Sequence, residues 1–219
     1  LQSVFASDRS GCDHGGVNQM LAGISPHLAK HTPKMAALVA SACLQTKSIQ
    51  ARAAVPLLTF VDRQASGNRR LAHHISRDLL WRIASLAPFV NAQWVRFEHL
   101  SFCEQVEVAR DSSILMGVHG NGLSHVLWMT RPGALIEIFP GSQQRMVAFQ
   151  QFAEAVGVLY FGLDSGTGHV YREGSCSGKF LNGKLLPGCE IQGQQINTII
   201  ENLDVHDVYC VVCQAISEA

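Results

Sequence analysis

One stretch constrains this chain more than any other: Ser113-Ile114-Leu115-Met116-Gly117-Val118-His119-Gly120-Asn121-Gly122-Leu123-Ser124-His125-Val126-Leu127-Trp128. It opens as a short apolar run, the pattern of a strand buried on both faces. Glycines then break it, and apolar residues resume at helical spacing through Leu123, Val126 and Leu127. A strand, a glycine turn and a helix, in that order, aim the unpaired N–H groups of a helix start past the edge of a sheet. That setting suits a phosphate, because the donors are free and the helix dipole favours negative charge. Gly120 and Gly122 permit positive φ and close backbone approach, and Asn121 is the next most tolerant residue for such a turn. Spacing alone leaves a plain strand-to-helix turn open as well, since this is neither the dinucleotide fingerprint nor a P-loop with its lysine.

Downstream, Arg131-Pro132-Gly133 ends that helix, and Ala134-Leu135-Ile136-Glu137-Ile138-Phe139-Pro140 reads as another buried strand with one carboxylate inside it. A buried Glu without a partner is costly, which places Glu137 at the strand's carboxyl end beside a polar group. Two roles stay open for it: a structural salt bridge, or a carboxylate accepting hydrogen bonds from ribose hydroxyls.

The remaining rhythm is regular from residue 55 onward. Val55–Val61 reads as a strand ending at Asp62-Arg63, Leu71–Leu86 as a helix, Val90–Phe97 as a strand and Phe102–Ala109 as a helix. After the Glu137 strand come a helix over Met146–Val156 and a short strand at Val158–Phe161. Alternation of this length implies an α/β fold, a Rossmann-like parallel sheet with helices on both faces and ligands at the carboxyl ends of its strands. Past Tyr160 the pattern fades into a loop over Asp164–Gly193, with a turn at Asn182-Gly183. Ile196–Leu203 and Val208–Ile216 then read as helices packed back on the domain.

Arg63, Arg69 and Arg70 follow a strand end within eight residues. Arginine matches phosphate oxygens bidentately, although solvated loop cations are the commoner use of such residues. His119 has three open roles: general base, donor to a phosphate, or packed strand-end histidine. His125 reads as structural. Asp62 and Asp111 also lie near strand ends, and the sequence pairs them with nothing.

Gly117-Val118-His119-Gly120-Asn121-Gly122-Leu123-Ser124-His125, followed by Ile136-Glu137-Ile138-Phe139-Pro140, resembles the signature of glycosyltransferase family 61. Thr59-Phe60-Val61-Asp62-Arg63 with Asn68-Arg69-Arg70-Leu71 is similar to that family's strand-plus-arginine segment. The Gly-Asn-Gly-Leu form with Leu127-Trp128-Met129 resembles the fungal branch. The likeness runs from about Val55 to Tyr160. It implies the donor half of a GT-B architecture, residues 55–219 forming a nucleotide-sugar-binding domain and residues 1–54 remaining unassigned. The implied activity is inverting transfer of a sugar such as GlcNAc or xylose from a UDP-sugar to a glycan or glycoprotein hydroxyl. Arg63, Arg69, His119, Gly120, Asn121, Gly122 and Glu137 would then contact the donor, with His119 also the catalytic candidate. The resemblance also implies a secretory-pathway setting in the Golgi or ER lumen. A non-catalytic nucleotide-binding fragment, or a degenerate copy, is the alternative.

Composition narrows the field without choosing. At 219 residues, 47% hydrophobic and 16% charged with formal net charge zero, the chain has enough apolar mass for one good-sized core. Neutral balance argues against a nucleic-acid groove. No apolar run approaches the roughly 20 residues a bilayer span requires. The start at Leu1, without a signal-peptide pattern, reads as a piece of a longer protein. No Asp-x-Asp motif occurs, so no divalent ion or other cofactor is expected. His14, His27 and His31 are too irregularly spread for a metal site. Seven cysteines leave at least one free or paired outside this chain. Cys176 and Cys189 flank a loop that a disulfide would suit. Cys210 and Cys213 have metal-ligand spacing but no second pair, and read as ordinary buried thiols. In the N-terminal segment, Thr32-Pro33 before Met35–Ala40 marks a capped helix.

Overall fold

The computed structural model describes residues 34–43, 55–63, 70–86, 89–139, 148–165, 168, 170–172, 180–181, 184–185, 199–200 and 203–218. Arg69, Cys12, Cys176, Cys189, His14, His27, His31, Thr32 and the Asn182-Gly183 turn lie outside those residues. The backbone on either side of that turn pairs antiparallel as β8 (Phe180–Leu181) and β9 (Lys184–Leu185), Phe180 with Leu185 and Leu181 with Lys184.

Four apolar runs and one amphipathic run become the five parallel strands of a six-stranded sheet: β1 (Leu57–Val61), β3 (Asn91–Val95), β4 (Ile114–Val118), β5 (Ala134–Phe139) and β6 (Leu159–Asp164). Their order is β3-β1-β4-β5-β6, and β7 (Val170–Arg172) closes one edge antiparallel to β6. Every residue of β4 and β5 is buried, as strands covered on both faces must be.

Alternation along the strands divides the core in two. On one face Leu58, Phe60, Ile114, Met116, Val118, Ile136, Ile138, Phe161 and Leu163 meet α2 (His73–Ala84) and α5 (Val205–Glu218). The i, i+4 series Ile75, Leu79 and Ile83 gives α2 its buried stripe. On the other face Val61, Leu115, Leu135 and Tyr160 meet Phe97, Leu123, Val126 and the Phe149, Phe152 and Val156 side of α4 (Ala148–Val156). On that side too lies α3 (Phe102–Asp111), started by a capping box in which Ser101 and Glu104 exchange hydrogen bonds. The expected parallel α/β sheet with helices on both faces is present.

Four readings are corrected. The segment after Gly120 is a 3₁₀ helix over Asn121–Trp128, not an α-helix. Its buried apolar residues Leu123 and Val126 recur every three positions, the 3₁₀ repeat, and Met129 continues the series just past its end. Ser124 Oγ donates to the Asn121 carbonyl, and His125 Nδ1 bonds the Gly122 carbonyl three residues back. Within the helix expected over Ile196–Leu203, Ile199–Ile200 is a short strand (β10) parallel to β2 (Arg70–Leu71). Two β-branched residues in tandem favour that ladder over a helix. Val90–Phe97 shortens to β3, because Phe97–His99 turns into 3₁₀. Cys210 is exposed and Cys213 half-buried, both with free thiols, so the buried-thiol reading fails at Cys210.

Sequence reasoning gave Cys43 and Cys103 no partner, yet they form a disulfide. The bond ties a helix over residues 34–43 (α1) to α3.

Candidate functional site

Strand order locates the site before any side chain is considered. The chain leaves β1, builds β3 on one side, then returns to build β4 on the other. Crossovers therefore diverge between β1 and β4, and a crevice opens above the carboxyl ends of those two strands. β1 runs out into Asp62-Arg63 there, and β4 into His119-Gly120.

Arg63 lies half-buried across this gap. Its Nη1 donates to the His119 carbonyl at 3.3 Å, and the guanidinium lies directly over Gly120. A Cβ on Gly120 would stand 1.7 Å from Arg63 Nη1 and 2.7 Å from Cζ. The glycine is required here for clearance: its backbone is extended, with φ 161°, a conformation any residue adopts. The first 3₁₀ bond runs from Leu123 N–H to the Gly120 carbonyl, so the Asn121 and Gly122 N–H groups precede the ladder, as a helix start requires. Gly122 packs on Val61, whose Cγ1 would lie 2.9 Å from an added Cβ, and Asn121 is exposed.

Glu137 is not at the strand end. It stands within β5, two residues before Phe139, with its side chain on the face shared by His119 and wholly buried. Its row across the sheet reads Gly117, Glu137, Gly162, so neither neighbouring strand crowds it. Oε1 bonds His119 Nδ1 and Oε2 accepts from the Tyr160 hydroxyl at 2.8 Å. Tyr160 reaches Glu137 by lying across Gly162, where an added Cβ would sit 2.6 Å from the phenol oxygen. The polar partner expected for Glu137 is therefore present, and its carboxylate is enclosed, with no surface open to the crevice. His119 is 6% exposed, its ring stacked on Phe139 at 5.6 Å and tilted against Phe149 at 5.3 Å.

Both aspartates are paired, contrary to the sequence reading, and only Asp62 follows a strand end, since Asp111 closes α3 ahead of β4. Asp62, 8% exposed, accepts from Arg96 Nε at 3.2 Å, and Asp111 accepts from Arg110 Nε at 2.9 Å. Asp62 and Arg96 end adjacent strands at the same edge as Arg63. Arg70 opens β2, and Arg69 lies outside the described residues. Sequence reasoning missed Tyr160 and the Asp62–Arg96 pair; a glycine two residues beyond Tyr160 inside an apolar strand was the available signal.

Beside the crevice, the 3₁₀ helix carries His125 into an aromatic cluster, 4.5 Å from Phe97 and 5.1 Å from Trp128 between ring centroids. Burial pushes its pKa from 6.5 down to about 4, only partly offset by the bond to the Gly122 carbonyl. His125 is thus neutral at physiological pH. Among the described residues, no group of three or more His, Cys, Asp or Glu is arranged to hold a metal ion. Nor is any helix there long and apolar enough to cross a membrane.

Fold and crevice together define a Rossmann-like α/β domain whose polar groups converge at the topological switch point. The family model for glycosyltransferase 61 matches residues 13–136, more than half of the chain, and the protein belongs to that family. The match begins well before Val55, so the N-terminal segment in which no likeness was read is part of the family's pattern. Over 70 residues the chain is 30% identical to the EGF domain-specific O-linked N-acetylglucosamine transferase of Drosophila melanogaster. That stretch is 32% of this chain and 13% of the relative's length.

Proposed function

We propose that this chain is the donor-binding part of an inverting glycosyltransferase that takes a UDP-linked sugar. One observation carries the reading: the Arg63 guanidinium rests over Gly120 at the switch point, beside the leading N–H groups of the 3₁₀ helix. Cleaving a nucleotide sugar builds negative charge on the departing diphosphate, and a fixed guanidinium with convergent N–H donors offsets that charge as it develops. Family membership supports sugar transfer, and the relative's name supports N-acetylglucosamine as the sugar, with xylose the second candidate. A glycan or glycoprotein hydroxyl would be the acceptor, with the acceptor-side half of a GT-B pair supplied by another part of the protein. Arg63, Gly120, Asn121 and Gly122 take the diphosphate and Arg69 is a second cation for it, while His119 faces the reacting sugar. The Cys43–Cys103 disulfide supports a secretory, oxidising compartment.

Calorimetric titration with UDP, with GDP as the control, tests this directly. Selective UDP binding by the parent chain, abolished in Arg63→Ala, is the expected outcome. Unchanged affinity in Arg63→Ala would sink the diphosphate assignment. Failure of a folded parent chain to bind UDP would favour a family-like fold without its chemistry.

A further inference from the structure

The structure assigns Tyr160 as a positioning residue that fixes, through Glu137, which nitrogen of His119 carries the hydrogen, and thereby what His119 meets in the crevice. This rests on the donor-site reading above and gives His119 a chemistry that reading leaves open. Glu137 is wholly buried and has two donors placed on it. The Tyr160 hydroxyl donates to Oε2 at 2.8 Å, and the carboxylate Oε1 is left to accept from His119 Nδ1. A neutral imidazole carries one hydrogen; held at Nδ1 by the carboxylate, it leaves a lone pair on Nε2. Such a nitrogen accepts. It takes a hydrogen bond or a proton from a hydroxyl and offers nothing to a phosphate oxygen.

Charge and hydroxyl recognition at this edge are therefore divided. The diphosphate belongs to Arg63 and the backbone N–H groups past Gly120. His119 Nε2 is matched to a hydroxyl, on the donor sugar or on the acceptor. In the second case, deprotonation transfers the hydroxyl proton to Nε2, its oxygen attacks the anomeric carbon, and the bond from that carbon to the diphosphate breaks as the positive imidazolium forms above Glu137. The buried carboxylate stabilises that cation without taking the proton. The rest of the arrangement serves this placement. Glycines at 117 and 162 flank Glu137 on both neighbouring strands, and Gly162 gives the Tyr160 ring its path across the sheet. Phe139 and Phe149 fix the plane of the imidazole.

Long-range ¹H–¹⁵N spectra of the labelled chain read the hydrogen's position directly, with His119→Gln used to assign the signal. The parent is expected to show a single Nδ1–H form. Tyr160→Phe keeps the ring and removes only the hydroxyl, so Oε2 loses its donor. The buried carboxylate can then take up a proton from solvent and donate it from Oε1 to Nδ1, the ring's own hydrogen exchanging to Nε2. His119 is then expected to populate both ring forms. Gly162→Ala, which crowds the phenol, should mimic it, whereas Phe152→Leu in the same core should leave the single form unchanged. Saturating UDP should also leave Nε2 without a hydrogen. A parent with Nε2–H, a Tyr160→Phe spectrum identical to the parent's, or conversion to the doubly protonated ring on adding UDP would each overturn the inference. The ligand-free spectra stand apart from nucleotide affinity, so loss of the donor reading and loss of this one are separable.

Discussion

Arg63 and Gly120 illustrate how much of this site rests on a single missing methyl group. The sequence made both candidates, but for a different reason: glycine was credited with backbone freedom, whereas its service here is to leave room for a guanidinium. Because Gly120 has an extended backbone, Gly120→Ala should fold normally and displace the flexible Arg63 side chain. Its UDP affinity is expected to fall by about tenfold or more, corresponding to roughly 1.4 kcal/mol, with the thermal melt nearly unchanged. A lowered melting temperature with intact affinity would contradict that account. Glu137 and His119 were legible as polar residues out of place in apolar runs, yet their bond was not. The alternation of β-strands puts 119, 137, 160 and 162 on one face only once the register is known, and register does not follow from composition.

At the scale of elements, the strands were the most legible parts, because burial on both faces writes itself as unbroken apolar sequence. Where the reading failed, short-range chemistry had won. Ser124 and His125 turn their side chains onto carbonyls three residues back and tighten the expected α-helix to 3₁₀, and Ile199–Ile200 takes a ladder partner from β2. That 3₁₀ helix also makes the protein acid-sensitive. His125 has a folded pKa of about 4 against 6.5 in the unfolded chain, so the unfolded state takes up its proton first as pH falls. The stabilisation from keeping it neutral is complete above pH 6.5 and is lost between 6.5 and about 4, with an upper bound of about 3 kcal/mol. Urea unfolding at pH 7 and pH 4.5 should show a smaller acid loss in His125→Phe than in the parent. An equal loss in both would remove His125 as the cause.

For the molecule as a whole, the class of fold and the edge on which the site lies followed from alternation and from the glycine turn, while the disulfide did not. Cys43 and Cys103 are 60 residues apart with no spacing motif between them, and only the folded chain brings the last residue of α1 to α3. That bond encloses β1, β2, α2 and β3 in one covalent loop. In the chain-entropy view a loop of this size contributes about 4 kcal/mol, so replacing both cysteines with serine should lower the unfolding free energy by up to about that amount. A double variant as stable as the parent would mean the unfolded chain is already compact there. The strand order has a last consequence, in time rather than in space. β1 pairs with β3 on one side and must leave its other edge open until β4 has been made, and Tyr160 arrives later still on β6. During synthesis the arginine therefore waits for the glycine turn, and the histidine for the tyrosine that orients it. Parallel pairings between distant segments form slowly, so nucleotide affinity should be among the last properties a refolding chain acquires, appearing only when the β4–β6 half of the sheet has closed on the half that carries Arg63.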